Sequence, residues 1–582
     1  MQQTEIIRYA LLAGLLITAY LLILAWNQDY GSAARPADAG AATADPLLDL
    51  DLPETGVPQP APGAAEPSRE PADDEVPDVV AGQLPELAAP SPDAAPLSQE
   101  GLIRVRTDTL NVWLDRRGDL VKVTLPGHPV SLDTPDVPLT LLDRTASFLY
   151  VAQSGLAGPD GVDARPEGRP NYRTDRDLFE MGPRDTQLVV PLVFEDDNGV
   201  RVEKRFIFTR GDYSVRLEYH VSNPLSRPLR AAMYAQIRRS GGQPPDLSPP
   251  GMGMRPYVGP AFTLEDTRYK KVSFSDLESG WEARVRGGWV AMLQHYFLSA
   301  WVPDSEAEHL YRGRQRPDGT YLVEFIGPIV EVPASGSQVI AATFYAGPKI
   351  QSRLAEISDN LNLTVDYGFL WWISVPLFRV LDFLHGIAGN WGVAIILLTL
   401  LVKLVLYPLS AAAYRSMANM RRMAPEMKRL QERYSDDRQK LSQEMMSLYK
   451  KEKINPLGGC LPLLLQMPVF LALYWVLYES VELRHAPFML WIDDLSAIDP
   501  YFVLPLLMGA TMFIQMQLNP PPPDPMQAKI MKLMPVMFTV LFLFFPAGLV
   551  LYWLTNNVLS IAQQWYVMRQ IEQKAGAVKG AK

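Results

Sequence analysis

The stretch WGVAIILLTLLVKLVLYPL at residues 391–409 decides the architecture. At about 1.5 Å per residue, a helix of this length crosses a hydrocarbon core of about 30 Å, and its one charge is Lys403. A basic segment follows. Between residues 410 and 453, Arg415, Arg421, Arg422, Lys428, Arg429, Arg433, Arg438, Lys440, Lys450, Lys451 and Lys453 outnumber Glu426, Glu432, Asp436, Asp437, Glu444 and Glu452. Short loops rich in Lys and Arg stay in the cytoplasm, so the span enters from outside and this loop is cytoplasmic.

Toward the C-terminus, residues 462–481 form the next span, and the loop after it carries Glu482, Asp493, Asp494 and Asp499, as suits the outer side. Residues 501–516 return inward, and Asn519, a run of prolines, Lys529 and Lys532 make a cytoplasmic connector. Residues 533–567 would extend about 50 Å as one helix, too long for one crossing. Phe545-Pro546-Ala547-Gly548 breaks the run into spans 533–545 and 549–567, and Arg569, Lys574, Lys579 and Lys582 hold a tail, 569–582, in the cytoplasm.

Toward the N-terminus, residues 351–389 read as helix, with Tyr367, Phe369, Leu370, Trp371, Trp372 and Phe378 beside Pro376, Arg379 and Asp382. Those charges would cost a few kcal/mol each inside hydrocarbon, so an interfacial helix on the outer leaflet fits better than a span. From about residue 100 to 350 the apolar pattern has period two, as in Ile103, Val105, Leu110, Val112 and Leu114, and in Tyr213, Val215, Leu217, Tyr219 and Val221. Turn clusters at Arg117-Gly118-Asp119, Asp196-Asp197-Asn198-Gly199 and Arg210-Gly211-Asp212 separate the strands, predicting a large antiparallel β-sandwich. Residues 31–99, rich in Pro, Ala, Asp and Glu, read as a disordered linker. Residues 1–30 read as a retained transmembrane anchor: Arg8 precedes an apolar run to Trp26 that is longer than a cleavable signal core. The expected fold class is therefore a membrane α-helical bundle of six transmembrane helices, five of them in a core at 390–568, plus a β-sandwich outside, with both termini in the cytoplasm.

A net charge of −10 argues against sequence-specific nucleic-acid binding, and the single cysteine, Cys460, allows no intramolecular disulfide framework. No phosphate-binding glycine loop, zinc-protease motif or nucleophile elbow occurs, and the six histidines are scattered. No cofactor or metal is expected, and no catalytic residue. Lys403 has two readings: a functional charge inside a span, or a lysine within snorkelling distance, about 9 Å, of the cytoplasmic end. Thr399 lies one turn away on the same face, and Gln466, Gln515, Thr555, Asn556, Asn557, Gln563 and Gln564 lie in or near other spans. Polar faces should meet each other rather than lipid, forming a hydrated cavity with a positive charge; ordinary interhelical hydrogen bonding is the alternative. In the cytoplasmic hairpin, 410–453, Met417, Met420, Met423, Met427 and Leu430 recur at helical spacing, either as a packing seam or as an adaptable surface for apolar clients.

The segments Asn390-Trp391-Gly392 through Leu406-Tyr407-Pro408-Leu409, Lys453-Ile454-Asn455-Pro456-Leu457-Gly458-Gly459-Cys460, Leu465-Gln466-Met467-Pro468-Val469-Phe470 and Phe545-Pro546-Ala547-Gly548-Leu549-Val550-Leu551-Tyr552-Trp553 resemble the YidC insertase family in its Gram-negative form. The resemblance implies a membrane protein insertase and chaperone, not an enzyme, in the bacterial inner membrane. It implies a positively charged groove open to cytoplasm and lipid but closed outside, with client helices leaving between the third and fifth spans. Lys403 matches the groove cation, usually arginine, and keeps the charge without the bidentate fork. Thr399 and Gln466 match the groove, and Tyr552 and Trp553 match an aromatic pair that is commonly two tyrosines. The implied partners are nascent membrane proteins, the Sec translocon, the lipid bilayer, and the ribosome and signal recognition particle pathway, received by the hairpin with Arg415, Met420, Met427, Asp436 and Asp437 and by the basic tail.

Two rivals share some of these features. A secondary transporter also uses buried charge and broken helices but normally shows paired repeats and a midplane ion site. A tethered carbohydrate-active sandwich would need paired carboxylates at fixed separation. Deleting the soluble domain separates them, since an enzyme would lose everything and an insertase would not.

Overall fold

The computed structural model describes residues 101–580 apart from 146–147, 242–255, 305, 435–436, 452–460 and 520–524. The expected anchor (1–30) and linker (31–99), Asp436, and the motif at 453–460 lie outside the described residues.

The period-two segments form the expected strands. Ile103, Val105, Val112, Leu114, Val215, Leu217, Tyr219 and Val221 all point into one core and are essentially fully buried. Among the described residues two sheets, of eleven and eight strands, share this core. The hairpin of strands Arg201–Thr209 and Ser214–Asn223 turns at Gly211, whose φ of +75° suits glycine. One pairing departs from the antiparallel expectation: Ile103–Arg106 lies parallel to the edge strand Leu178–Glu180. The long connection over 158–177, from strand Leu149–Ala157 to that three-residue edge strand, frees it from hairpin geometry.

The helices begin with α1 (Phe274–Glu278) and α2 (Gln351–Ile357). They continue as α3 (Trp371–Ala388), α4 (Trp391–Val405), α5 (Tyr407–Arg433), α6 (Arg438–Lys451) and α7 (Leu461–Glu479). The chain closes with α8 (Val503–Leu518), α9 (Pro525–Phe542) and α10 (Ala547–Gly580).

Several boundaries differ from the sequence reading. The helix expected over 351–389 is split by 3-10 turns at Leu361–Thr364 and Gly368–Leu370, where Asn360 and Gly368 take φ of +65° and +63°. The span expected over 391–409 ends at Val405, because Pro408 opens α5 and cannot donate back into α4; the two helices bend by 68°. The cleft between α9 and α10 falls at 543–546, as the proline demands, but α9 starts at Pro525 and α10 runs to Gly580, through the segment assigned to a separate tail. Among the described residues, Gly368–Ala388 is the one helix long and apolar enough to cross a bilayer unaided, and Trp391–Val405 with Tyr407–Met423 qualifies only as a bent pair. α8 is apolar but shorter, and α10 is diluted by Thr555, Asn556, Asn557, Ser560, Gln563 and Gln564.

Asn390 caps α4 by accepting from the Val393 N–H at 3.0 Å, and its amide donates to the Pro487 and Phe488 carbonyls, tying the helix start to the loop after α7. The first N–H groups of α10 donate to the same loop: Ala547 to Ala497 O at 2.7 Å and Gly548 to Leu495 O at 2.9 Å. A second core joins the β-domain to the bundle, running from Trp289, Leu298 and Tyr345 through Tyr367 and Leu381 to Leu398, Leu473 and Tyr552.

Candidate functional site

Three helices, α4, α7 and α10, meet around the last turn of α4. Lys403 is 6% exposed, although it lies near the end of its helix, so the snorkelling reading does not describe this conformation. Its Nζ donates to Gln466 Oε1 on α7 at 3.2 Å and to Ser560 Oγ on α10 at 2.7 Å. The Gln466 amide donates to Tyr552 OH at 3.2 Å and to Asn556 Oδ1, both on α10. The Ser560 hydroxyl donates to the Asn556 carbonyl at 2.7 Å, leaving its lone pair for the lysine. The cation is thus held by neutral acceptors, and among the described residues it forms no ion pair. A buried ammonium with neutral partners keeps an attraction for a carboxylate that a paired one would have already satisfied.

The five groove residues taken from the sequence separate in this arrangement. Lys403, Gln466 and Tyr552 form one hydrogen-bonded chain. Thr399 is buried one turn away, but its hydroxyl donates to Ile395 O at 2.7 Å on its own helix. Trp553 turns toward an aromatic cluster, edge-on to Phe470 at 4.6 Å between centroids and close to Phe538 and Phe542 of α9; its Nε1 is buried without a hydrogen-bond partner. Ser560 was not among the expected site residues. Its signal is the spacing Tyr552, Asn556, Ser560, one residue per turn along a single face.

Of the remaining amides, Gln563 donates to Lys403 O at 3.5 Å, whereas two others turn away from the lysine. Asn557 donates to Thr511 Oγ1 at 3.3 Å, and Gln564 donates to Leu518 O and Asn519 Oδ1 at 3.2 Å, forming a second seam between α10 and α8. In the hairpin, Met417 packs with Ala411, Tyr414 and Val567, and Met427 and Met445 are buried, which gives these three methionines a packing role. Met420 is half-buried and Arg415 is exposed. Asp437 accepts from the Lys440 N–H at 2.9 Å and so starts α6 as a helix cap, a role its sequence reading missed.

Family models described as "60Kd inner membrane protein" and "YidC periplasmic domain" match residues 383–574 and 102–380. A membrane protein insertase YidC of Pseudomonas putida (strain GB-1) is 50% identical over 98% of both chains, and that of Azotobacter vinelandii is 49% identical over 98% of this chain and 99% of its own. A solved structure described as an active YidC insertase with the first transmembrane domain resolved aligns with 80% of this chain and 93% of its own, at a TM-score of 0.37 and 18% identity. On that identity across nearly its whole length, this chain belongs to the YidC family of membrane protein insertases.

Proposed function

We propose that the chain inserts and helps fold inner-membrane proteins, alone or with the Sec translocon, and that it acts without catalysing a covalent reaction. The observation that carries this reading is the buried Lys403 ammonium, held between α4, α7 and α10 by neutral acceptors. A polar, often acidic, client tail reaching this charge crosses part of the membrane at reduced electrostatic cost, and burial of the client's apolar span in lipid completes the transfer. The membrane potential adds about 2.3 kcal/mol per charge per 100 mV. Gln466, Tyr552 and Thr399 line the groove, and Trp553 gives the passing helix an apolar face.

The topology follows the charge pattern: six spans, both termini cytoplasmic, and the β-sandwich periplasmic. α3 lies at the outer interface, with Trp371, Trp372, Phe383 and Ile387 each more than 60% exposed and turned to lipid. The hairpin, with Arg415, Met420 and the α6 cap Asp437, receives clients from the ribosome and signal recognition particle pathway together with the basic end of α10.

The test is insertion of a single-span client into proteoliposomes by wild type, Lys403→Arg and Lys403→Ala. Loss in Lys403→Ala with retention in Lys403→Arg is expected; undiminished insertion by Lys403→Ala would sink the groove-charge mechanism.

A further inference from the structure

Helix α7 is nearly uniformly apolar from Leu461 to Tyr478, interrupted only by Gln466 and two prolines. A helix with no polar face has little in its own surface to fix its height or rotation among apolar neighbours, so its few polar contacts must do so. On the inner side that contact is Gln466, in the Lys403 network. On the outer side a group of hydrogen bonds and one ion pair reach outside the bundle core. His295, which follows strand Val290–Leu293 of the β-domain, donates from Nε2 to Tyr478 O at 2.8 Å, satisfying a carbonyl that the helix end leaves free. Tyr367 OH meets Ser480 Oγ at 3.3 Å. Lys349, directly after the last strand Gly336–Pro348, reaches Glu479 with its Nζ 3.0 Å from Oε2; the two side chains are 3% and 5% exposed. Farther along, Arg484 donates to Pro129 O at 2.7 Å and Val130 O at 3.2 Å of the sandwich.

We propose that Lys349 is a positioning residue for insertion: by holding Glu479 it sets the height of α7 and thereby places Gln466, about 20 Å inward, against Lys403. A buried ion pair has one favoured geometry, and removing one member leaves the other charged and unsatisfied, which drives the helix end to move. Lys349, directly after the last strand, is therefore the outer anchor of the groove. This inference rests on the groove reading of Lys403.

The test uses the full chain in proteoliposomes, in a Cys460→Ser background with a nitroxide at Met467→Cys, an exposed position on α7. Bilayer depth of the label and insertion of a single-span client are measured for wild type, Lys349→Met, Lys349→Arg and the neutral pair Lys349→Met with Glu479→Gln. Expected are a depth change in Lys349→Met, insertion reduced at least about fivefold, and recovery of both by Lys349→Arg. The neutral pair, which strands no charge, keeps the test open if Lys349→Met fails to fold; it too should shift the label and lose insertion. An unchanged label depth in both Met variants overturns the proposal whatever the insertion rate, and a shifted label with undiminished insertion overturns it as well. Undiminished insertion by Lys403→Ala would instead defeat the groove reading and leave the label result standing.

Discussion

Lys403 Nζ and Ser560 Oγ lie 2.7 Å apart where α4 meets α10, and the serine can accept there because its own proton goes to the Asn556 carbonyl. The pair distinguishes a lysine kept for stability from one kept for function. Burying an ammonium among neutral acceptors carries a desolvation penalty of several kcal/mol, which the two hydrogen bonds offset only in part. Lys403→Met should therefore leave the melting temperature in detergent unchanged or raise it, while insertion falls about tenfold or more. A stabilising lysine would give the reverse, with Tm falling and insertion following it.

Ser560→Ala removes one acceptor and leaves the charge in place. A hydrogen bond to a charged group contributes about 1.5–3 kcal/mol, so this variant should lower stability by that order while Lys403→Met does not. Differential scanning of the two variants side by side checks the ordering. Equal stability of wild type and Ser560→Ala would show that the amine readily finds another partner.

How legible all this was in the sequence depends on the range of the interaction. The strands were readable because burial alternates locally, as at Val215, Leu217, Tyr219 and Val221. The breaks at Pro408 and Pro546 were signalled by single residues, though the first was read as lying inside a span. The parallel edge strand Leu178–Glu180 was not readable, because three residues carry no periodicity and their partner is remote in sequence. Within the site, Lys403 announced itself as a charge in an apolar run. The division of α10 into one face toward Gln466 and Lys403 and another toward Thr511 and Leu518 did not, since the adjacent amides Asn556 and Asn557 look alike until the neighbouring helices are placed.

Inside the β-domain, Arg169 forks onto Asp119 with two bonds of 2.7 Å and reaches Asp163 at 3.1 Å, all three side chains being nearly inaccessible. Truncating the arginine strands two carboxylates, a loss of about 3–5 kcal/mol by analogy with broken buried pairs. Arg169→Met should sharply accelerate amide exchange in strands Leu149–Ala157 and Arg201–Thr209, which flank the cluster. Unaltered protection there would mean that the cluster is dispensable to the sandwich.

The α8–α9 contact is set by a close approach. A Cβ on Gly509 would stand 2.0 Å from Thr539 Oγ1, the atom that donates to Pro535 O at 2.7 Å. Gly509→Ala should cost about 1–3 kcal/mol through overpacking, and Thr539→Ala in the same chain should return most of it. Independent, additive losses in the double variant would place the strain elsewhere.

The outer end of α7 should respond to pH in two opposite senses. Burial, with Lys349 and then Arg484 nearby, pushes the His295 imidazole down to about 3, so the folded clamp holds it neutral and donating to Tyr478 O. A depressed base contributes stability that is full above its ordinary value near 6.5 and is lost as pH falls toward 3, by about 1.4 kcal/mol per unit. Burial and the Asp382 carboxylate push Glu482 up to about 7, so its contribution is full below the ordinary value near 4.5 and is lost as pH rises through 7. Amide exchange over 478–484 should thus quicken at pH 5 through His295 and at pH 8 through Glu482. His295→Gln keeps a donor without a titration and should remove the acid effect alone, and Glu482→Gln should remove the alkaline effect alone. If neither variant changes the exchange profile, these two groups do not govern the docking of the β-domain on α7.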